Sequence, residues 1–456
     1  MRAQPRPLAE IVPGPAAPAA AQTLAWTARP VPFMHRCRAE HGNVFRVHLA
    51  EAGEVVFVAE PELIKRIFTA DPGVLRAGEG NAVLEPVVGS RSVLLLDGPA
   101  HLRARRLLLP PFHGERMTAY GELMTRIAEQ AVERWPAGEP FALQPAFQDI
   151  TLEIILRAIF GVSEPERSQP LRAALLAMLN WGMRPVALLP WLRRDFPGSP
   201  WRRFSAALAD VDALLRAEID RRRAAEDLEK RDDILSLLLL ARDEDGAPLG
   251  DRELRDELVT LLVAGHETTA TALSWAFERM LRTPATLERL TAECRADDAG
   301  DEYAEAVVRE TLRIRPPLPI VVRRLSEPWA LRDGEEPLPE GVRVAPCIYL
   351  THHREDLYPD PFAFRPERFL GVKPDTYAWL PFGGGIRRCL GAAFAQFEMK
   401  AVMKAVLRTA DLAAPDAATE PVHRRAIVLA PRRGSRAVLR GRRPAAAPSE
   451  RVAATA

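Results

Sequence analysis

The 456-residue sequence predicts a mainly α fold with a smaller β-rich region, and three features carry that expectation. Apolar residues recur at helical spacing through long segments, above all from Leu258 to Phe277. Alternation of the strand type is confined to short runs such as Val44 to Leu49. A glycine-rich loop, Gly383-Gly384-Gly385, leads into a run of good helix formers from Ala392 onward.

Composition narrows the function classes. The chain is 47% hydrophobic and 27% charged, as a globular protein is, and its 62 basic and 61 acidic residues nearly cancel. That balance argues against nucleic acid as a partner. Cys37, Cys294, Cys347 and Cys389 lie far apart with no Cys-x-x-Cys pair, which argues against a disulfide framework or a zinc site and for a reducing compartment. Pro13, Pro15 and Pro18 break an alanine-rich run near the start, so neither a signal peptide nor a membrane span is expected there. A cytoplasmic monomer is the expectation.

In chain order, residues 1–30 are proline-rich and are expected to pack over the surface or stay loose. Val44 to Leu49 and Glu54 to Val58 read as a hairpin, and Pro61 to Phe68 as a short helix. A loop then runs to Gly98; its length and its apolar content point to a substrate-facing segment, with Val83 and Val88 as candidates for the pocket wall. Helices follow over Ala100 to Leu108, Glu115 to Arg134 and Asp149 to Phe160. Leu171 to Arg223 reads as two helices, separated by an apolar stretch from Trp181 to Phe196 that either packs ordinarily or lines a substrate entrance. Asp251 opens a long central helix with His266 and Glu267 in its middle, a buried helix with a polar insertion rather than a membrane span. Tyr303 to Arg313 is helical, while Leu318 to Arg324 and Val342 to Tyr349 have strand character. Pro359 to Leu380 is an irregular meander, and Ala392 to Thr409 a helix. Ile427 to Leu429 and Ala437 to Leu439 read as a terminal hairpin, and residues 441–456 as a disordered tail.

Two clusters suggest chemistry. Cys389 stands where the glycine loop feeds a helix, so amide N–H groups and the positive helix end favour a thiolate. A thiolate held against a glycine-lined plane can serve as an axial sulfur for haem iron, with Phe382 shielding it and Arg387 within reach of a propionate. In the central helix, Ala264-Gly265-His266-Glu267-Thr268 combines three elements. Gly265 removes a side chain, leaving room for a diatomic ligand. The Thr268 hydroxyl can bond the Ala264 carbonyl one turn back, and an acid beside an alcohol makes a proton path.

Pro381 to Ala395, with Phe382, Gly385, Arg387, Cys389 and Gly391 in register, resembles the cysteine-ligand loop of the cytochromes P-450, the haem-thiolate monooxygenases. The central-helix stretch is similar to that family's oxygen-activation motif, with Glu267 as the acid and Thr268 as the alcohol; His266 falls at a variable position and is not read as an iron ligand. His101 and Arg105 match a family pair that meets a haem propionate, and Arg323 or Arg324 reaches another. Glu310 and Arg313, with Arg368 as third member, match a buried structural clamp behind the cysteine loop. Pro110-Pro111-Phe112-His113 is similar to a soluble bacterial branch whose members hydroxylate fatty acids and terpenoids.

The resemblance implies the cytochrome P450 fold as one domain over residues 31–440, with haem b ligated by Cys389. The pocket would be walled by Val83, Val88, Leu261, Ala264, Ile320, Val321 and Ile427. It implies insertion of one oxygen atom from O2 into a C–H bond or alkene of an apolar fatty acid, terpenoid or steroid-like molecule. Electrons would come from NAD(P)H through a separate ferredoxin or flavodoxin with its reductase, docking on Arg103, Arg106 and Arg388. Two alternatives stand beside this reading: a peroxide-driven relative, and a haem-thiolate binding or sensor protein without turnover.

Overall fold

The computed structural model describes residues 6–50, 52–112, 116–161, 165–182, 193–296 and 300–443. A five-stranded sheet sits on one side of a larger helical body. Its strand order is Val44–Leu49, Gly53–Val58, Arg343–Pro346, Arg323–Leu325, Leu75–Arg76. The first pair is the expected hairpin, antiparallel with Val44 opposite Val58, and the second pairing is parallel.

The proline-rich start packs over this sheet as helices, Ala19–Ala28 and Pro30–His41. Pro18 is the N-cap of the first and Pro30 opens the second, positions where a missing N–H costs nothing. Trp26, Phe33 and Met34 bury against Phe45 and Phe57. Gly14 is needed where the chain crosses the sheet edge, because a Cβ there would overlap the Arg46 carbonyl.

The helical body is organised around the central helix Asp251–Leu281, with Trp275 and Phe277 fully buried. It packs against Leu143–Phe160, Glu302–Ile314 and the post-cysteine helix Ala392–Thr409. No helix among the described residues is long and apolar enough to cross a membrane.

Several expected elements change. Residues 69–98 are not one loop, since Ala77–Gly80 and Glu85–Val88 are helical. The strand expected over Leu318 to Arg324 shrinks to Arg323–Leu325, and that over Val342 to Tyr349 to Arg343–Pro346, followed by the helix Ile348–His352. The terminal hairpin is paired differently. Val428–Pro431 pairs with Val422–Arg425, whereas Arg436–Arg442 pairs with Pro140–Ala142 and Ala410–Ala413. For Arg323–Leu325, Arg343–Pro346 and Arg436–Arg442, partners distant in sequence, not the local apolar pattern, decide which residues enter a ladder. Arg436–Arg442 also runs past the expected start of the tail at 441, of which residues 444–456 lie outside the described residues, as do 183–192 of the apolar stretch and His113.

Candidate active site

Cys389 alone of the four cysteines has accessible surface. The loop before it is shaped by Gly383 (φ 65) and Gly385 (φ 63), conformations that other residues rarely adopt. A Cβ on Gly384 would overlap the Phe68 ring, and one on Gly385 the Phe68 carbonyl. These two glycines therefore let the loop close onto the helix Pro61–Thr69. The Cys389 N–H donates to the Phe382 carbonyl at 3.0 Å, and Gly391 caps the helix Ala392–Thr409.

The thiol is enclosed by protein although its surface is accessible, so it faces a space inside the molecule. Burial raises its pKa, opposed by a hydrogen bond from the Gly391 N–H and by Arg105 and Arg388. The Gly391 amide favours the thiolate, as expected of the N–H groups there, and burial outweighs it while no cation sits at the sulfur. A metal cation at the sulfur reverses that balance, since a coordinating thiol is deprotonated outright. The other three thiols are pushed up to about 11 or 12 by burial and behave as small buried hydrophobes.

Three arginines and a neutral histidine converge beside this loop. His101 is 2% exposed and its Nδ1 has no partner; burial, then Arg387, Arg105 and Arg323, lowers its pKa to about 4. Arg387 donates to the Val93 carbonyl at 3.1 Å, to the Leu96 carbonyl and to Asp97 at 2.5 Å, yet its Nε is unpartnered. Arg105 donates to the Arg388 carbonyl at 2.7 Å. Arg323 bonds the neighbouring Val322 carbonyl at 2.9 Å and lies over the Phe68 ring, and burial with Arg387 lowers its pKa to about 10. Arg324 is on the other side of the strand, paired with Glu79 at 2.5 Å. Arginines largely withdrawn from solvent, with orphaned nitrogens on His101 and Arg387 and Asp97 as the carboxylate among them, are arranged to receive a dianion. This donor set fits the two propionates of haem, and Cys389 its iron.

The central helix supplies the opposite wall. In the middle of the helix Leu261, Gly265 and Thr268 are part-accessible and Ala264 is exposed, all on one face, between buried stretches at 256–260 and 269–278. Thr268 Oγ1 donates to the Ala264 carbonyl at 2.6 Å, as expected. Gly265 also serves a packing purpose: a Cβ there would come within 3.1 Å of Ile155 Cδ1, so the glycine lets the helix Leu143–Phe160 approach. Glu267 is 2% exposed; Gln148 Nε2 donates to its Oε2 at 2.8 Å, and Arg425 Nε lies 3.4 Å from Oε1. Burial raises its pKa, opposed first by Arg425 and then by the Gln148 hydrogen bond. His266 lies within hydrogen-bond distance of Thr151, 3.0 Å from Nδ1 to Oγ1, and burial lowers its pKa to about 3. Glu398, fully buried on the post-cysteine helix, bonds Thr269, and burial pushes its pKa well above the carboxylate range. That contact ties the helix after Cys389 to the residue after Thr268.

The Glu310–Arg313 pair is completely buried, with Arg313 donating to both carboxylate oxygens at 2.6 and 2.8 Å. Arg313 also holds the His352 and Pro361 carbonyls at 2.8 and 2.9 Å. Arg368 Nε approaches Glu310 at 3.4 Å, so all three expected members meet. They pin the meander to the helix Glu302–Ile314, which packs against the post-cysteine helix.

Other expected residues scatter. Val83 is 41% exposed, whereas Val88 is buried against the central helix. Ile320 packs with the N-terminal sheet cluster, and Val321 lies beside Gly383. Ile427 sits in the turn after Ala426. Of the expected docking arginines, Arg103 pairs with Asp243 at 2.5 Å and Glu253 at 3.3 Å, and Arg106 with Glu244 at 2.5 Å. Acids from residues 243–253 thus neutralise two of the three, leaving Arg388 exposed. Gln148, Asp97, Glu257 and Arg425 were not legible as site residues. Only Glu257, an acid within an apolar helical run, carries a local signal.

Comparison with known proteins places this geometry. The family described as Cytochrome P450 matches residues 13–436. A Mycobacterium tuberculosis protein named cytochrome P450 135B1 is 41% identical, over 97% of this chain and 94% of its own. Another from that organism, cytochrome P450 137, is 39% identical over 92% and 88%. The solved structure of a cyanobacterial CYP120A1 with retinoic acid bound has a TM-score of 0.80 at 25% identity, covering 92% of this chain and 96% of that one. The haem domain of a cytochrome P450DA mutant shares the fold, with a TM-score of 0.82 at 22% identity over 95% and 98%. With sequence likeness running through every element that positions the cysteine loop, the chain belongs to the cytochrome P450 family of haem-thiolate monooxygenases.

Proposed function

We propose that this chain inserts one oxygen atom from O2 into a C–H bond or alkene of an apolar small molecule, with electrons from NAD(P)H through a separate ferredoxin or flavodoxin and its reductase. The observation that carries the reading is the pairing of one accessible, enclosed cysteine with a buried acid beside an alcohol on the facing helix. Cys389 binds the iron of haem b, and His101, Arg105, Arg323 and Arg387 hold its propionates. Bound haem supplies the O2 chemistry, with electron density from the thiolate. Glu267 takes a proton from the solvent side and passes it toward Thr268, whose hydroxyl is oriented by the Ala264 carbonyl. Leu261 and Ala264 present apolar surface to the substrate, consistent with a fatty acid, terpenoid or steroid-like skeleton. The relative with retinoic acid bound adds a polyene isoprenoid to that class.

The test is the visible spectrum of the reduced protein under carbon monoxide. The far-red-shifted Soret band of a thiolate complex is expected, and Cys389→Ser is expected to abolish it; a serine variant that keeps the band overturns the ligand assignment. Titrating the ferric protein with fatty acids, terpenoids, steroids and a retinoid then identifies the class that displaces iron-bound water. Reconstitution with a ferredoxin or flavodoxin and NAD(P)H tests the electron supply.

A further inference from the structure

Glu267 is met by two residues that belong to neither motif and come from different elements, Gln148 through a hydrogen bond to Oε2 and Arg425 through an ion pair with Oε1, which has no hydrogen-bond partner. Gln148 reaches it from the helix Leu143–Phe160, and Arg425 from the hairpin of Val422–Arg425 with Val428–Pro431. That hairpin is fastened to the protein at fixed points. Trp275 Nε1 on the central helix donates to the Leu429 carbonyl at 2.9 Å, and the Leu429 N–H donates to the Pro317 carbonyl at 2.7 Å. Ala426 holds a left-handed φ of 51°, and its carbonyl accepts from Arg424 Nε at 2.6 Å. The backbone that carries Arg425 is therefore set relative to the helix that carries Glu267. Arg425 is 27% exposed and Glu267 3%, so the guanidinium spans from accessible surface to the buried carboxylate.

We propose that Arg425 is a positioning residue for proton delivery, holding Glu267 ionised and oriented from the hairpin beside Ile427. This deepens the monooxygenase reading and rests on it. A buried carboxyl left neutral cannot accept a proton. One kept as the carboxylate by an adjacent cation takes a proton from water around the guanidinium and releases it toward Thr268, returning to the carboxylate. Arginine does not exchange its own proton, so its part is electrostatic.

The groups around Glu267 leave this role to Arg425. On its own helix, His266 is buried neutral against Thr151. On the helix Leu143–Phe160, Asp149 and Glu153 are both paired with Arg172, at 2.5 and 3.4 Å. On the post-cysteine helix, Glu398 bonds Thr269 and is held neutral by burial. On the hairpin, His423 contacts the Ala430 carbonyl at 3.0 Å.

The experiment uses the haem-loaded full chain with Arg425→Gln and Arg425→Lys, each alone and combined with Glu267→Gln, after the carbon monoxide spectrum has shown the thiolate site intact. Infrared difference titration follows the protonated-carboxyl band that Glu267→Gln removes. Its midpoint is expected at least about one pH unit higher in Arg425→Gln, the size of shift that one close opposite charge produces. Arg425→Lys is expected to restore most of it. The pH profile of product formed per electron is expected to move the same way, and Arg425→Gln to add nothing once Glu267 is glutamine. An unchanged midpoint, or an equal change in the profile with Glu267 absent, overturns the role of Arg425. An unchanged product yield in Glu267→Gln alone overturns the proton relay itself, and the proposal with it.

Discussion

Replacing Glu257 by glutamine should stabilise the protein at neutral and alkaline pH. Glu257 lies on the central helix, fully buried, and its Oε1 accepts the Val93 N–H at 2.7 Å while Oε2 has no partner. Burial, reinforced by Asp256 and Glu253, raises its pKa from 4.5 to about 8 against the opposing Val93 hydrogen bond. Because the folded value lies above the unfolded one, its contribution is fully favourable below about pH 4.5 and is lost as pH rises toward 8. At about 1.36 kcal/mol per pH unit, the cost is roughly 3 kcal/mol at pH 7 and approaches about 5 above pH 8. Glutamine keeps a carbonyl for the Val93 N–H and cannot ionise. Unfolding by urea, followed by tryptophan fluorescence, should show the two proteins alike near pH 5 and the variant a few kcal/mol more stable at pH 8.5. Hydrogen exchange at the Val93 amide should slow in the variant over the same range, because this segment opens against the same carboxyl. A difference between the proteins that stays constant from pH 5 to 8.5 would refute the reasoning.

Three further outcomes follow from the geometry. Arg313→Met strands a fully buried Glu310 carboxylate and should cost about 3–5 kcal/mol, read as a lowered unfolding midpoint with reduced haem content; near-wild-type stability would show that the clamp is dispensable. Arg323→Gln should weaken haem retention about tenfold or more, by loss of one charged hydrogen bond worth about 1.5–3 kcal/mol, whereas Arg324→Gln, which removes one of the two arginines on Glu79, should not. Haem transfer to an apo-globin measures both, and equal effects would contradict the placement of the two arginines on opposite sides of the strand. Gly265→Ala should leave carbon monoxide affinity within about twofold, since the added methyl meets Ile155. It should lose about 1 kcal/mol of stability from overpacking, which Ile155→Val restores; a large loss of affinity would put Gly265 on the ligand side.

The features that were legible in advance share one property: their partners are near in sequence or on one helix face. Thr268 bonds Ala264 four residues back, and Arg313 grips Glu310 three residues back. The cysteine loop needs glycines within a few residues of the thiol, so its register survives as a local pattern. What escaped depends on residues far apart. Arg103 looked free for a redox partner, yet Asp243 lies 140 positions away along the chain and beside it in space. Val428–Pro431 has the same apolar pattern whichever strand it joins, and Pro317 and Trp275 hold it against the central helix.

By itself the sequence determined the mainly helical class and the cysteine loop, and the resemblance of short local motifs to those of a family brought the acid–alcohol pair and the Glu310–Arg313 pair into view, because each is written in spacings of three or four residues or in a single loop. Only the tertiary structure decided what Gly265 makes room for, which arginine joins His101 and Arg387, and that Arg425 and Gln148 hold Glu267. Those outcomes are set by burial and by charges brought together across the chain, and desolvation in a folded interior has no counterpart in the linear order of residues.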